Sequence, residues 1–334
     1  MVAAVRSGES QRAVARDFGV SLHTVQRWID RVDGHRLDRV DWSDRPTGPV
    51  QASNRTSANM EALILQTRKE LRQESDLGEF GAVAVRRALQ QGGVRQLPSI
   101  STIGRIFDRR GQLDARQRTR RQAPPPGWYL PEVAAGRAEV DQVDIVEGLK
   151  IKDGPLVEVV NAVSLHGGMV ASWPQAASVT APAVQRALRA HWQRWGLPTY
   201  VQFDNDTIFQ GPHHLPDVIG RVVRLCLGLG VVPVFAPPRE TGFQASIENY
   251  NGQWQAKVWS RFEHSSLSAL QRQSTRYVTA HHRRTAARRE SAPPREAFPN
   301  NWQLDLQAHP QGQLIFLRRT SPAGEVRVKP NKGT

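Results

Sequence analysis

The sequence predicts a multidomain chain: all-α modules at the N-terminus, a mixed α/β core, and a small β segment at the C-terminus. Three observations predict it. Stretches 9–32 and 59–109 place apolar residues at helical spacing and break at Gly-bearing turns. From Val140 onward, three strand-like runs give way to alternating helix and strand. After residue 300, short apolar runs such as QLIFLRRTS carry basic neighbours. The 334 residues suffice for two or three domains.

Composition narrows the partners. There are 45 Lys+Arg against 31 Asp+Glu, a net charge of +14. Arg outnumbers Lys, and its planar fork suits phosphate. The balance points to a polyanion, most simply double-stranded DNA. One cysteine, Cys226, excludes an intramolecular disulfide and a multi-thiolate zinc site; within VVRLCLGLGVV it reads as core. No apolar run is long enough to span a bilayer, and MVAAVRSGESQR lacks a signal-peptide layout. A cytoplasmic, nucleoid-associated protein with no membrane partner is expected.

In ESQRAVARDFGVSLHTVQRWIDRV, Ala13, Val14, Phe18 and Val20 give an apolar face, and Gly19 ends the first helix. Ser21 caps a second helix carrying Val25, Trp28 and Ile29. That is a helix-turn-helix over 1–42, with His23, Thr24, Gln26 and Arg27 turned outward to reach DNA. Residues 43–58 read as a linker. Region 59–110 repeats the theme. Met60, Leu63, Ile64, Leu65 and Leu71 mark one helix, and Val83, Val85 and Leu89 another that ends at Gly92 and Gly93. Ser99 caps a third, with Ile100, Ile103, Ile106 and Phe107 inward and Ser101, Thr102, Arg105, Arg109 and Arg110 available to DNA. Residues 111–135 form a basic, Pro-rich linker.

The core is expected over 136–300, with a basic C-terminal extension, and a short β domain over 301–334. Strands are predicted at 140–146, 156–165, 169–173, 199–203 and 231–236, and helices at 181–195, 215–229 and 246–259. Strand 199–203 ends on Asp204, and sites of open α/β sheets lie at such carboxyl ends. Asp144 lies on the first strand. On the last helix Ile247, Tyr250, Trp254 and Val258 form the packing stripe, with Glu248 and Asn251 beside it. Three converging carboxylates repel unless cations neutralise them, and hard oxygens suit Mg²⁺ or Mn²⁺. Two such ions ~3.5–4 Å apart support in-line attack on a phosphodiester.

Here the residues resemble a known family. QVD at 142–144, FDN…F at 203–209 and AxxENYN at 245–251 look like the Asp, Asp, Glu signature of integrase-core DDE transposases, which span bacterial insertion-sequence transposases and retroviral integrases. The resemblance implies a ribonuclease H-like catalytic core and Asp144, Asp204 and Glu248 as catalytic residues holding two Mg²⁺ (or Mn²⁺). It also implies a homo-oligomer on transposon ends and target DNA. The segment 277–298 resembles the basic stretch that follows the catalytic helix in that family.

Two departures stand out. The interval from Asp204 to Glu248 is longer than in many members, with the excess expected in QGPHHLPDVIG. Asp206 replaces the usual Gly, where φ > 0 is expected to be tolerated by Asp, and it adds charge near the metals. Asp141 reads as a strand-end charge on the opposite face, and Glu147 and Glu158 as solvated or paired acids. His281 and His282, among Arg283, Arg284, Arg288 and Arg289, are expected to face phosphate. Arg239, in the loop APPRETGFQA, and Lys257 are further DNA-contact candidates. The alternative is a catalytically inactive DNA-binding regulator keeping the same fold.

Overall fold

The computed structural model describes residues 1–43, 56–113, 127–212, 218–237, 242–308, 310–318, 320 and 323–326. The chain divides into two compact units, Met1–Ser57 and Ala58–Thr334.

Among its described residues the first unit has three α-helices, α1 (Val2–Arg6), α2 (Gln11–Asp17) and α3 (Leu22–Val32), followed by a 3-10 turn, Leu37–Arg39. Ser10 and Ser21 cap α2 and α3, their hydroxyls accepting from the amides of Ala13 and Thr24 at 3.2 and 3.1 Å. Gly19, at φ +65°, makes the turn between them. Val14, Ala15 and Val25 form the core, with Val5, Val20 and Ile29 against it. Phe18, expected inside, is exposed as the residue that caps the C-terminal end of α2.

The second unit begins with α4 (Ala58–Glu74), α5 (Ala82–Gln91) and α6 (Ile100–Arg109). Their core is Ile64, Val85, Leu89, Ile103, Ile106 and Phe107. Leu63, Val83 and Ile100 are exposed, contrary to expectation: Leu63 and Val83 sit off the stripe that these buried residues define, and Ile100 is the first residue of α6. A short α7 (Pro131–Ala134) leads into β1 (Val140–Lys150), β2 (Leu156–Ser164) and β3 (Val170–Ala176). Then come α8 (Ala181–Trp195), β4 (Tyr200–Phe203), α9 (Thr207–Gln210), α10 (Arg221–Gly228), β5 (Val232–Phe235), α11 (Ala245–Trp254), α12 (Leu267–Arg284), α13 (Ala286–Glu290) and β6 (Ile315–Phe316).

The strand order is β3-β2-β1-β4-β5-β6, with β1, β2 and β3 antiparallel neighbours and β1, β4, β5 and β6 parallel. Helices cover both faces: α8 and α10 pack on one through Val184, Leu188, Trp192 and Val222, and α11 and α12 on the other through Ile247, Tyr250, Trp254 and Tyr277. Three antiparallel strands followed by parallel ones, with helices on both faces, is the ribonuclease H-like arrangement expected of the core.

Several boundaries differ. The helix expected at 215–229 begins at Arg221; Gly220 caps it, and residues 213–217 lie outside the described residues. The helix expected to Trp259 is α-helical to Trp254 and continues as a π-helical turn, Gln255–Trp259. The β domain expected at 301–334 has, among the described residues, only β6. This strand extends the core sheet beside β5, pairing Val234 with Ile315 and Phe235 with Phe316, rather than starting a separate barrel. Most of the two expected linkers lies outside the described residues. The α4–α6 module is not set apart by its linker. Lys257 donates to the Gly78 carbonyl at 2.9 Å, and Arg261 donates to the carbonyls of Arg72 and Gln73 at the end of α4, at 2.9 and 3.0 Å, and to that of Ser75.

Candidate active site

Strand alternation decides which side chains meet. On β1, Asp141, Val143 and Ile145 face α8, whereas Gln142, Asp144 and Val146 face α11. The pairing of Gln142 with Gln202 brings Asp144 level with the end of β4, where Asp204 emerges. Glu248 lies in the first turn of α11, next to Ile247, whose amide donates to Gln142 Oε1 at 3.1 Å. Three elements therefore deliver three acids to one end of one sheet face.

Asp144 senses the other two acids. Burial, with the charges of Asp204 and Glu248 adding to it, pushes Asp144 up to about 6, against hydrogen bonds from the Ile145 amide and Asn251. Burial and the charge of Asp206 raise Asp204, against the Asp206 amide, which donates to Asp204 Oδ1 at 3.0 Å. No Lys or Arg forms an ion pair with Asp144, Asp204 or Glu248 among the described residues. The donor set is all carboxylate oxygen and lacks a protein cation, which fits a hard divalent ion. As they stand, no three His, Cys, Asp or Glu side chains among the described residues are grouped closely enough to hold one. Glu248 is exposed, so its carboxylate is the one free to swing.

Asn residues that the sequence reading gave no role complete this region. Asn251 Nδ2 donates to Asp144 Oδ2 at 2.7 Å, and Asn161 Nδ2 donates to Asn251 Oδ1 at 2.8 Å. Asn161, fully buried on β2, pairs in register with Asp144. An Asn in the apolar run LVEVVNAVS was the available signal. Gln142 Nε2 donates to Gln202 Oε1 at 2.7 Å and to the Phe243 carbonyl at 3.0 Å, and Tyr129 donates to the same carbonyl at 2.9 Å. The start of α11 is thus tied to the strand that carries Asp144.

Asp206 departs from expectation. Its φ is −65°, so the position makes no use of the left-handed region that Gly would favour. Its carboxylate caps α9, accepting the Ile208 amide at 2.7 Å. Asp141 is not a strand-end charge. It is fully buried, with Arg295 Nη1 and Nη2 at 2.9 and 2.7 Å and Trp192 Nε1 at 3.0 Å. Burial pushes it up, but the Arg295 guanidinium outweighs that and holds it below the usual carboxylate range. Glu158 accepts the Val179 amide at 2.6 Å, and Glu147 is exposed.

The DNA-contact candidates divide. His23, Gln26 and Arg27 are exposed on α3, and Thr24 is half-buried with its hydroxyl 2.8 Å from Ser21 Oγ. On α6, Ser101 and Arg105 are exposed, and Thr102 is half-buried beside Ser99. Arg109 is bound with Arg110 to the buried Glu61. Lys257 is held by Gly78 and lies over the Phe80 ring. Arg283 is exposed, Arg284 is 3.8 Å from Glu79, and Arg239 lies outside the described residues. His282 does not face phosphate: it is buried against β3, its Nε2 2.7 Å from the Val170 carbonyl. The chain from 267 to 284 is helical, which turns His282 to the sheet and Arg283 to solvent.

The strand order and the helices on both faces give a ribonuclease H-like core, preceded in the chain by a helix-turn-helix. Residues 1–40 match a family model described as a homeodomain-like domain. Two solved structures are similar to the chain. One is the simian T-cell lymphotropic virus intasome in complex with PP2A regulatory subunit B56 gamma, with 14% identity over 68% of this chain and 76% of that one, TM-score 0.36. The other is the catalytic core domain of BIV integrase, with 17% identity over 43% of this chain and 80% of that one, TM-score 0.30. No helix among the described residues is long and apolar enough to cross a membrane.

Proposed function

We propose that the protein is a DDE transposase of a bacterial insertion sequence. It binds terminal inverted repeats, cleaves to expose 3′-hydroxyls and joins them to target DNA as a homo-oligomer. The observation that carries the reading is the delivery of Asp144, Asp204 and Glu248 to one end of one sheet face, with the charges of the other two raising Asp144 and no protein cation paired with any of them among the described residues. Asp144, Asp204 and Glu248 would hold two Mg²⁺ or Mn²⁺ ions, which when bound supply an activated oxygen nucleophile and charge stabilisation of the leaving oxygen. Asn251 orients the Asp144 carboxylate by occupying one lone pair of Oδ2. Gln142 fixes the first turn of α11, hence the reach of Glu248. His23, Gln26 and Arg27 read DNA from α3, and Arg105 from α6.

One observation favours a second reading, an inactive DNA-binding regulator: the three carboxylates are not grouped as a ready metal cage. Incubating the protein with labelled DNA flanking its coding sequence and Mg²⁺ separates the two. Metal-dependent cuts with strand joining, lost in Asp204→Asn, support the transposase. Tight binding without cuts supports the regulator.

A further inference from the structure

Between α11, α12 and the turn from β2 to β3 lies a cleft of about 180 Å³, lined in part by Ser246, Asn249, Gln253, Gly168, His281 and Arg288. Ser246, Asn249 and Gln253 form one stripe of the helix that carries Glu248. Arg288 is fixed at the rim: its Nε donates to the His166 carbonyl at 3.2 Å and its Nη2 to that of Leu165 at 2.8 Å. Its Nη1 makes no hydrogen bond among the described residues. Gly168, at φ +62°, lets the guanidinium lie on the turn; a Cβ there would stand 3.1 Å from Nη1. His281 Nδ1 is buried without a hydrogen-bond partner. Burial and then Arg288, Arg284 and Arg289 lower His281 to about 4, so it stays neutral.

The cleft therefore gathers a fixed guanidinium, a neutral imidazole, two amides and a hydroxyl. No carboxylate lies within 4 Å of the Arg288 or Arg289 nitrogens among the described residues. Preorganised donors around uncompensated cations suit a tetrahedral oxyanion. We propose that this cleft binds a phosphate group. Under the transposase reading, on which this part rests, that group is a backbone phosphodiester of bound DNA; inorganic phosphate shares the chemistry.

The test uses the full chain and two variants. Arg288→Gln removes the cation. Gln253→Glu puts a carboxylate on an exposed helical position and leaves the carbonyl contacts of Arg288 intact, so it serves if Arg288→Gln fails to fold. Thermal unfolding is followed with added inorganic phosphate against chloride at matched ionic strength, and affinity for a labelled duplex is followed against salt. The expected result is a rise in Tm with phosphate in the wild type, lost in Gln253→Glu, and a fall of about one in the salt-dependence slope of that variant. A phosphate-induced rise with an unchanged DNA slope supports the site and assigns it to free phosphate. The proposal is overturned if the wild type shows no response to phosphate and Gln253→Glu shows no change of slope. Absence of DNA cleavage by the wild type would overturn the transposase reading and leave the phosphate response standing.

Discussion

Asn251 holds Asp144: the amide nitrogen of one donates to the carboxylate of the other at 2.7 Å, joining α11 to β1 beside Asp204. The bond favours the ionised carboxylate, against burial that disfavours it. Asn251→Ala is expected to move Asp144 further up and to cost about 1–3 kcal/mol of stability, because Asn161 Nδ2 loses its acceptor. DNA cleavage should fall 10–100-fold, as when an outer hydrogen-bond partner of a metal ligand is lost. Duplex binding should be unchanged. Parallel cleavage and binding assays check this.

The buried pair of Asp141 and Arg295 locks the chain after α13 to the first strand. Removing one partner leaves the other charged and buried. Arg295→Met is expected to destabilise the core by about 3–5 kcal/mol. Asp141→Asn with Arg295→Met should cost less than the sum of the two single changes, measured by denaturant unfolding.

Acid stability follows from buried imidazoles. Burial, with Arg295, His282 and Arg194 adding to it, lowers His191 to about 4 against the opposing Asp141; His281 and His282 are lowered to about 4 as well. A histidine depressed in the fold binds its proton more readily when unfolded. The stability these residues contribute is complete above about pH 6.5 and is lost as pH falls towards about 4. For fully buried His191 the loss is about 2–3 kcal/mol. Thermal melts from pH 7 to 4.5 should show the decline, and His191→Gln should flatten it.

Docking of the α4–α6 module rests on Arg261 gripping the carbonyls at the end of α4, and on Arg276 pairing with Asp76 at 2.9 Å. Arg261→Ala should raise hydrogen exchange over residues 70–80 while leaving exchange in β1 and β2 unchanged. Hydrogen exchange with mass readout checks it.

Periodic features were legible in the sequence. Ile247, Tyr250, Trp254 and Val258 are all buried as their helical spacing requires, and that spacing places Glu248 beside the packed stripe. The alternation of β1 separates Asp144 from Asp141. What escaped was long-range or local to a turn. The partner of Asp141 lies 154 residues away, so nothing near Asp141 announces a buried ion pair. Asp206 reads as a substitute for Gly, yet it is a helix cap, because α9 is too short to show periodicity. His282 sits in a run of cations, but one helical step turns it inward. The tie between Gln142 and Phe243 depends on parallel strand pairing that no local pattern encodes.

The most direct test places Asp144→Asn, Asp204→Asn and Glu248→Gln beside the wild type on labelled flanking DNA with Mg²⁺ or Mn²⁺. The account predicts metal-dependent nicking and strand joining by the wild type, a loss of at least about 10³-fold in each variant, and unchanged DNA affinity. Cleavage that survives in any of the three, or that proceeds at full rate in chelator, would contradict the assignment of these carboxylates.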